Sequence, residues 1–265
     1  MDRRSVVTGA LCAAAALAAS AAMTVLVPPQ TTAHPRNARA GLPDGTAGAQ
    51  APTPLKAPAT PAADPAALAG ALFEHGLDGG HHCTATVVRS PGRNLIVTAG
   101  HCLAAGPAGQ DTVFAPGWNQ GKAPHGAWRV EEVFEDPRWS DDGDDAYDLA
   151  FARLAPDAQG RRVEDVVGGA ELDTGARSDE PVTVRGYPSD RDVPRTCTAP
   201  ATRDGDSLQR FACADFPTGT SGSAWIAADG RIIGVLTGGD TDDESTSTLL
   251  GGYARALYDR ATAAR

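Results

Sequence analysis

Apolar and polar residues along this chain alternate in short runs, and the runs are bounded by turn formers. Cys83 to Val88 reads C-T-A-T-V-V, β-prone and partly alternating. Leu95-Ile96-Val97 follows the turn Ser90-Pro91-Gly92, and Trp128 to Phe134 alternates with Val at inward positions. Leu149 to Leu154, Val182 to Tyr187, Ser223 to Ala227 and Ile232 to Leu236 are further runs closed by Gly, Pro or Asp. Many short strands with regular turn signals predict an all-β barrel or sandwich. Two stretches depart from this period. Asp64-Pro65-Ala66, with Leu68, Leu72 and a closing Gly76, fits a capped helix, though a first strand over 70–73 fits equally well. Leu257, Tyr258 and Ala261 recur at helical spacing and predict a terminal helix over 254–264.

Outside this patterned region the chain reads differently. Arg3 and Arg4 precede an Ala-dominated apolar stretch from Val6 to Val27, which Pro28 and Pro29 end; Thr31-Thr32-Ala33 supplies small residues for cleavage. Residues 1–33 are therefore expected to be a signal peptide, with an uncleaved anchor as the alternative. The paired arginines leave the export route open between the general and twin-arginine systems. Residues 34–65 are crowded with Ala, Pro, Gly and Thr, with only Leu42 and Leu55 as large apolar groups. Such a segment cannot bury enough surface to offset its ordering entropy, so it reads as a linker or propeptide. The folded domain is expected over 66–265, and the destination is the exterior of the cell.

Composition narrows the class. Hydrophobic residues make up 42% and charged residues 21%, which excludes a wholly disordered chain, and 30 Gly with 20 Pro argue against a long helical bundle. A net charge of −10 removes the electrostatic footprint of nucleic-acid binding and disfavours anionic membranes. No nucleic acid, no lasting membrane association and no cofactor are expected, and the chain reads as a monomer. After the leader, Cys83, Cys102, Cys197 and Cys213 remain. An even number in an oxidising compartment reads as two disulfides. Three pairings exist, and Cys83–Cys102 with Cys197–Cys213 is the expected one. Zinc held by His82, Cys83, His101 and Cys102 is the rival, at a spacing that matches no common zinc pattern.

Three short motifs carry chemistry: Thr98-Ala99-Gly100-His101-Cys102, Asp148-Leu149-Ala150-Phe151 and Gly219-Thr220-Ser221-Gly222-Ser223. Each alone has a bland reading as a surface histidine, a turn aspartate or a loop. In the order His, Asp, Ser, the set resembles the chymotrypsin-like serine proteases, and more narrowly their secreted bacterial, trypsin-like and glutamyl-endopeptidase-like branch. The resemblance runs from about Gly70 to Tyr258 and includes the later G-V-L-T-G-G and G-G-Y. It implies two six-stranded β-barrels with the site between them, and a protein or peptide substrate. It implies His101 as general base, Asp148 as its orienting partner, Ser221 as nucleophile, and the N–H groups of Gly219 and Ser221 as the oxyanion hole. The Cys83–Cys102 pairing matches the family's pattern.

Departures from that pattern are informative. Animal trypsins carry Asp immediately before the nucleophile, to pair with a new amino terminus; Thr220 stands here, so maturation by that switch is not expected. Counting back from Ser221 without gaps puts Asp215 at the position where trypsin binds Arg or Lys, although Cys213 shows that this loop is built differently. Thr237, Gly239 and Gly251 complete the expected pocket. With the acidic run Asp240 to Glu244 they favour a basic P1 side chain. Leu236 or Thr237 stands in the stretch where the glutamyl-specific branch places a pocket His, which disfavours a Glu preference. The other readings are a catalytically silent binding module and a non-proteolytic acyl hydrolase, the latter lacking its elbow motif. The Asp141–Asp145 run is expected to be a solvated loop, with calcium as the alternative.

Overall fold

The computed structural model describes residues 65–103 and 111–263. The expected leader and anchor lie outside them, as does the expected linker apart from Pro65. Among the described residues, no helix is long and apolar enough to cross a membrane.

The first six strands are β1 (Ala69–Phe73), β2 (His81–Val88), β3 (Leu95–Thr98), β4 (Val113–Pro116), β5 (Trp128–Glu135) and β6 (Ala150–Leu154). They close into an antiparallel barrel in the order β1-β2-β3-β6-β5-β4, with β4 returning to β1. Closure leaves no open edge for another chain to pair with. Leu72, Val87, Ile96, Phe114, Trp128, Phe151 and Leu154 fill the interior.

The second half contributes β7 (Glu171–Leu172), β8 (Pro181–Gly186), β9 (Arg195–Asp204), β10 (Leu208–Ala212), β11 (Ala224–Ala227), β12 (Arg231–Thr241) and β13 (Glu244–Thr248). Six of these form a ring, β11-β8-β9-β10-β13-β12, closed by the β11–β12 pairing; β7 adds to β12 in parallel. Val182, Val184, Phe211, Trp225 and Ile233 pack its interior. The fold is therefore two closed six-stranded barrels, as the resemblance implied.

The start of the domain combines the two readings that the pattern left open. A single helical turn, α1 (Pro65–Leu68), runs directly into β1. Short helices α2 (Pro137–Ser140) and α3 (Val163–Val167) follow in loops, and α4 (Gly252–Thr262) is the expected terminal helix. Its Ala254, Leu257 and Ala261 pack on the core of the first barrel. Arg153 caps its last turn, donating from Nε to the Ala261 carbonyl at 2.8 Å and from Nη2 to that of Ala263 at 2.9 Å. Both expected disulfides are formed, Cys83–Cys102 and Cys197–Cys213. The first takes up the two sulfurs that a zinc site would have needed as thiolates.

Candidate active site

The His101 motif follows β3 without a break. Ala99 is extended and buried, and Gly100–Cys102 form one turn of 3-10 helix. A side chain at Gly100 would run into the Trp139 indole and lie 2.9 Å from Asp148 Oδ1, so the residue before His101 has to be glycine. Asp148 arrives from the opposite direction, on the 3-10 turn Asp145–Tyr147 that leads into β6. Cross-strand pairs Thr98–Ala150 and Val97–Phe151 bring the two motifs side by side.

Both carboxylate oxygens of Asp148 are committed to His101. Oδ1 accepts the His101 backbone N–H at 2.9 Å, and Oδ2 is 2.7 Å from ring Nδ1. The Asp148 side chain is 4% exposed, whereas that of His101 is 36% exposed, so the pair is shielded at the carboxylate and open at the ring. With Nδ1–H turned to the carboxylate, Nε2 is left as the acceptor nitrogen of a partly exposed ring, which is the tautomer a general base needs. Trp139 lies edge-on to the ring, with centroids 6.4 Å apart.

Ser221 sits in a tight turn that needs two glycines in left-handed conformation, Gly219 at φ +97° and Gly222 at φ +86°. The N–H groups of Thr220 and Ser223 donate to the carbonyls of Pro217 and Thr220, and that of Gly222 donates to the Leu236 carbonyl at 2.7 Å. Among the described residues, the N–H groups of Gly219 and Ser221 have no internal acceptor. These are the two donors expected to form the oxyanion hole.

Thr84 on β2 holds this turn against the first barrel, and the pattern of residues did not single it out. Its N–H donates to the Ser221 carbonyl at 2.8 Å, and its hydroxyl donates to the Gly219 carbonyl at 2.9 Å. The same hydroxyl accepts the Tyr187 N–H at 2.8 Å, and the Thr84 carbonyl accepts the Thr98 hydroxyl at 2.7 Å. Thr98 is in the His101 motif, so one buried threonine ties nucleophile turn and histidine strand together. Its partners lie as far along the chain as Ser221, and a threonine in a β-prone run carries no local sign of them.

Thr220 is 1% exposed and satisfied at home: its hydroxyl donates to the Pro217 carbonyl at 2.7 Å, and its own carbonyl accepts the Ser223 hydroxyl at 2.6 Å.

The expected substrate pocket is assembled differently. Asp215 is bridged by Arg191, with Nη1 at 2.8 Å from Oδ2 and Nη2 at 2.9 Å from Oδ1, and Arg195 lies 3.8 Å from the same carboxylate. It is therefore not a free anion. Thr237 donates from its hydroxyl to the Thr246 carbonyl at 3.4 Å. Gly239 is small because the β13 backbone presses on it: a Cβ there would overlap the Glu244 carbonyl. Gly251 is the N-terminal cap of α4 and lines a separate cavity with Tyr147, Ser207 and Tyr253. Leu236 and Gly238 on β12 pair with Ser247 and Thr246 on β13, a strand that the sequence pattern did not predict.

Glu135, at the end of β5, adds an electrostatic feature behind the pair. Burial, followed by the negative charge of Asp148, pushes its carboxyl from the usual 4.5 up to about 7. The charged form is thus disfavoured in the folded chain. Glu135 then costs nothing below the unfolded value of 4.5, and its cost grows with pH until it is complete above about 7. Glu135→Gln is expected to raise the melting temperature at pH 8 and to leave it unchanged at pH 4. Thermal melts at the two pH values check this; an equal shift at both would mean that the charge is irrelevant.

Comparison with known proteins agrees with this geometry. Residues 83–235 match the family model described as a trypsin-like peptidase domain. The chain is similar to the protease Anisep from Arthrobacter nicotinovorans, at 25% identity and a TM-score of 0.67, over 75% of this chain and 96% of that one. It is also similar to the thermostable serine protease AL20 from an extremophilic microorganism, at 27% identity and a TM-score of 0.65, over 74% and 97% of the two chains. A Glu endopeptidase structure shares the fold at 20% identity and a TM-score of 0.62, over 76% and 93%. No curated protein matches the chain in sequence.

Proposed function

We propose, from the premise that this chain belongs to the trypsin-like peptidase domain family and is a serine endopeptidase, that His101, Asp148 and Ser221 are its catalytic triad and that it acts outside the cell. The observation that carries the assignment is the double commitment of buried Asp148 to His101, which leaves Nε2 as the acceptor nitrogen of that ring. In this reading Ser221 Oγ attacks the substrate carbonyl carbon while its proton passes to His101 Nε2. The imidazolium is stabilised by Asp148, and the new oxyanion accepts from the N–H groups of Gly219 and Ser221. The proton then moves from Nε2 to the leaving nitrogen as the C–N bond breaks. Water, deprotonated by the same nitrogen, releases the acyl group and restores Ser221.

Maturation is proposed to need no ammonium partner at Thr220, since that residue is already satisfied within its own turn. A basic P1 preference requires the incoming cation to take Asp215 from Arg191. The Arg191–Asp215 bridge favours a second reading, in which P1 carries no positive charge.

The test is a peptide library cleaved by the purified chain, with Ser221→Ala as control and fluorophosphonate labelling in parallel. Cleavage after Arg or Lys, absent in the control, would support the triad and the basic P1 together. Cleavage after uncharged residues would keep the triad and favour the second reading. Neither cleavage nor labelling at Ser221, in the full chain and again in residues 66–265 freed of the expected propeptide or linker, would overturn the triad and leave a silent binding module.

A further inference from the structure

His81 opens β2, and no step of the proposed reaction uses it. It is 5% exposed, opposite Phe73 in the β1–β2 pairing. Its ring lies edge-on to those of Phe73 and Tyr187, with centroids 5.7 Å and 6.3 Å away. Nε2 is 3.1 Å from the Arg191 carbonyl oxygen. A carbonyl only accepts, so the proton of the neutral ring is on Nε2. Nδ1 is then a bare acceptor, buried and without a partner among the described residues. A second proton would bury a donor with nothing to receive it. Burial accordingly keeps the His81 pKa below the usual 6.5; His82 adds to this, while the Arg191 carbonyl, Asp192 and Asp190 favour the charge. His81 is thus a neutral ring with one committed N–H.

The carbonyl it holds belongs to a turn that bridges the barrels. The Arg191 N–H donates back to the Pro188 carbonyl at 3.2 Å, and from the first barrel the Gln120 N–H donates to the Asp192 carbonyl at 2.7 Å. On the other side the turn grips the run before the nucleophile at two points. The Arg191 guanidinium bridges Asp215. Ser189 donates both its N–H, at 2.9 Å, and its hydroxyl, at 3.1 Å, to the Thr218 carbonyl. The packing is close: a Cβ on Gly219 would overlap the Ser189 nitrogen and lie 2.6 Å from the Tyr187 carbonyl oxygen.

The Thr218 carbonyl and the Gly219 N–H are the two ends of one peptide unit. That unit is planar and trans, so its C=O and N–H point in opposite directions. Ser189, by holding the carbonyl, aims the Gly219 N–H away from the turn, and rotation of the peptide would carry that N–H off its target. We propose that His81 is a positioning residue for the oxyanion hole: by anchoring the Arg191 carbonyl it fixes the turn whose Ser189 orients the Thr218–Gly219 peptide. The inference rests on the reading of the Gly219 N–H as an oxyanion donor.

The test is steady-state kinetics of the full chain on a peptide that it cleaves, at a temperature where circular dichroism shows every variant folded. His81→Met removes the donor. It is expected to lower kcat by roughly tenfold with KM nearly unchanged, part of the roughly 10²–10³-fold that loss of a whole oxyanion donor costs. His81→Gln can set an amide N–H where Nε2–H stands, and should bring kcat back to within about threefold of the parent, since it remakes the one bond in question. His81→Asn is one carbon shorter and should not. Where His81→Met fails to fold, the comparison of Gln with Asn carries the test. An unchanged kcat in the Met and Asn variants, a change confined to KM, or a Gln variant no better than Asn would each overturn the proposal. Fluorophosphonate labelling keeps the two failures apart. An unlabelled parent would strike the triad reading itself, and this inference with it. A labelled, active parent whose kcat does not move in the variants would strike the role of His81 alone.

Discussion

Asp148→Asn is expected to lower kcat by about 10⁴-fold while leaving the fold and the affinity for substrate nearly intact, the size of effect such a change has in serine proteases. The reason lies in the two bonds that Asp148 makes. Its Oδ1 takes the His101 backbone N–H and its Oδ2 faces ring Nδ1. Asparagine keeps one oxygen and replaces the other with an amide NH₂. If the oxygen stays on the backbone N–H, the NH₂ faces Nδ1, and the ring must carry its proton on Nε2. That nitrogen can then no longer accept from Ser221. Turned the other way, the amide sets donor against donor at the His101 backbone. Steady-state kinetics with a circular-dichroism melt check this. A loss confined to KM, or a fall of less than tenfold in kcat, would mean that Asp148 does not set the tautomer of His101.

Gly222→Ala is expected to cause the largest loss of stability from adding one methyl group. At φ +86° an L-residue is strained by about 1–2 kcal/mol. The added Cβ would also overlap the Thr84 carbonyl and the Thr98 hydroxyl, and it would come within 3.1 Å of the Thr84 carbonyl carbon. Backbone cannot yield there, because Thr84 is held by four hydrogen bonds, three of them to the second barrel. Overpacking of this kind costs about 1–3 kcal/mol. The sum is a large share of the roughly 5–15 kcal/mol by which a domain is stable. Relief would require the turn to move off Thr84, and Ser221 would move with it. Melting temperature and fluorophosphonate labelling rate should therefore fall together. Gly230→Ala is the control: its φ is +80°, but a Cβ there meets nothing within 4 Å, so only the strain should appear. Equal effects at the two glycines would remove the overlap from the argument.

Much of the first barrel was legible because its strands obey a simple rule. A strand that buries one or both faces on an aliphatic core is rich in Val, Ile, Leu and Phe, and β2, β3, β5 and β6 are all of this kind. The second barrel hides three of its strands. β9 reads R-T-C-T-A-P-A-T-R-D, and its inward positions carry only the small residues Cys197, Ala199 and Ala201, so its alternation is weak in hydropathy. β13 reads E-S-T-S-T and yet is largely buried. Its Ser247 hydroxyl accepts the Val235 N–H at 2.8 Å and donates to the Thr248 carbonyl at 2.8 Å, and Gln209 on β10 donates to the Ile233 carbonyl at 3.0 Å. Ser247 thus occupies an inward position because a partner is supplied across strands, and Gln209 does so through its amide N–H alone, its Oε1 being left without a partner. Hydropathy cannot register a partner that the fold brings in.

The sequence by itself determined the His–Asp–Ser order, the alternation that makes the strands, the disulfide pairing as an expectation, and the terminal helix. Each of these is written in residue type and local spacing, which folding does not alter. Only the tertiary structure decided what those residues touch. It placed Thr84 under Ser221, gave Asp215 to Arg191 and moved Gly251 to the cap of α4. Hydrogen bonds and ion pairs have ranges of a few ångströms in space, and closing a barrel makes neighbours of residues that are far apart along the chain. A charge or a hydroxyl therefore has a nature that the sequence states and a role that only the fold assigns.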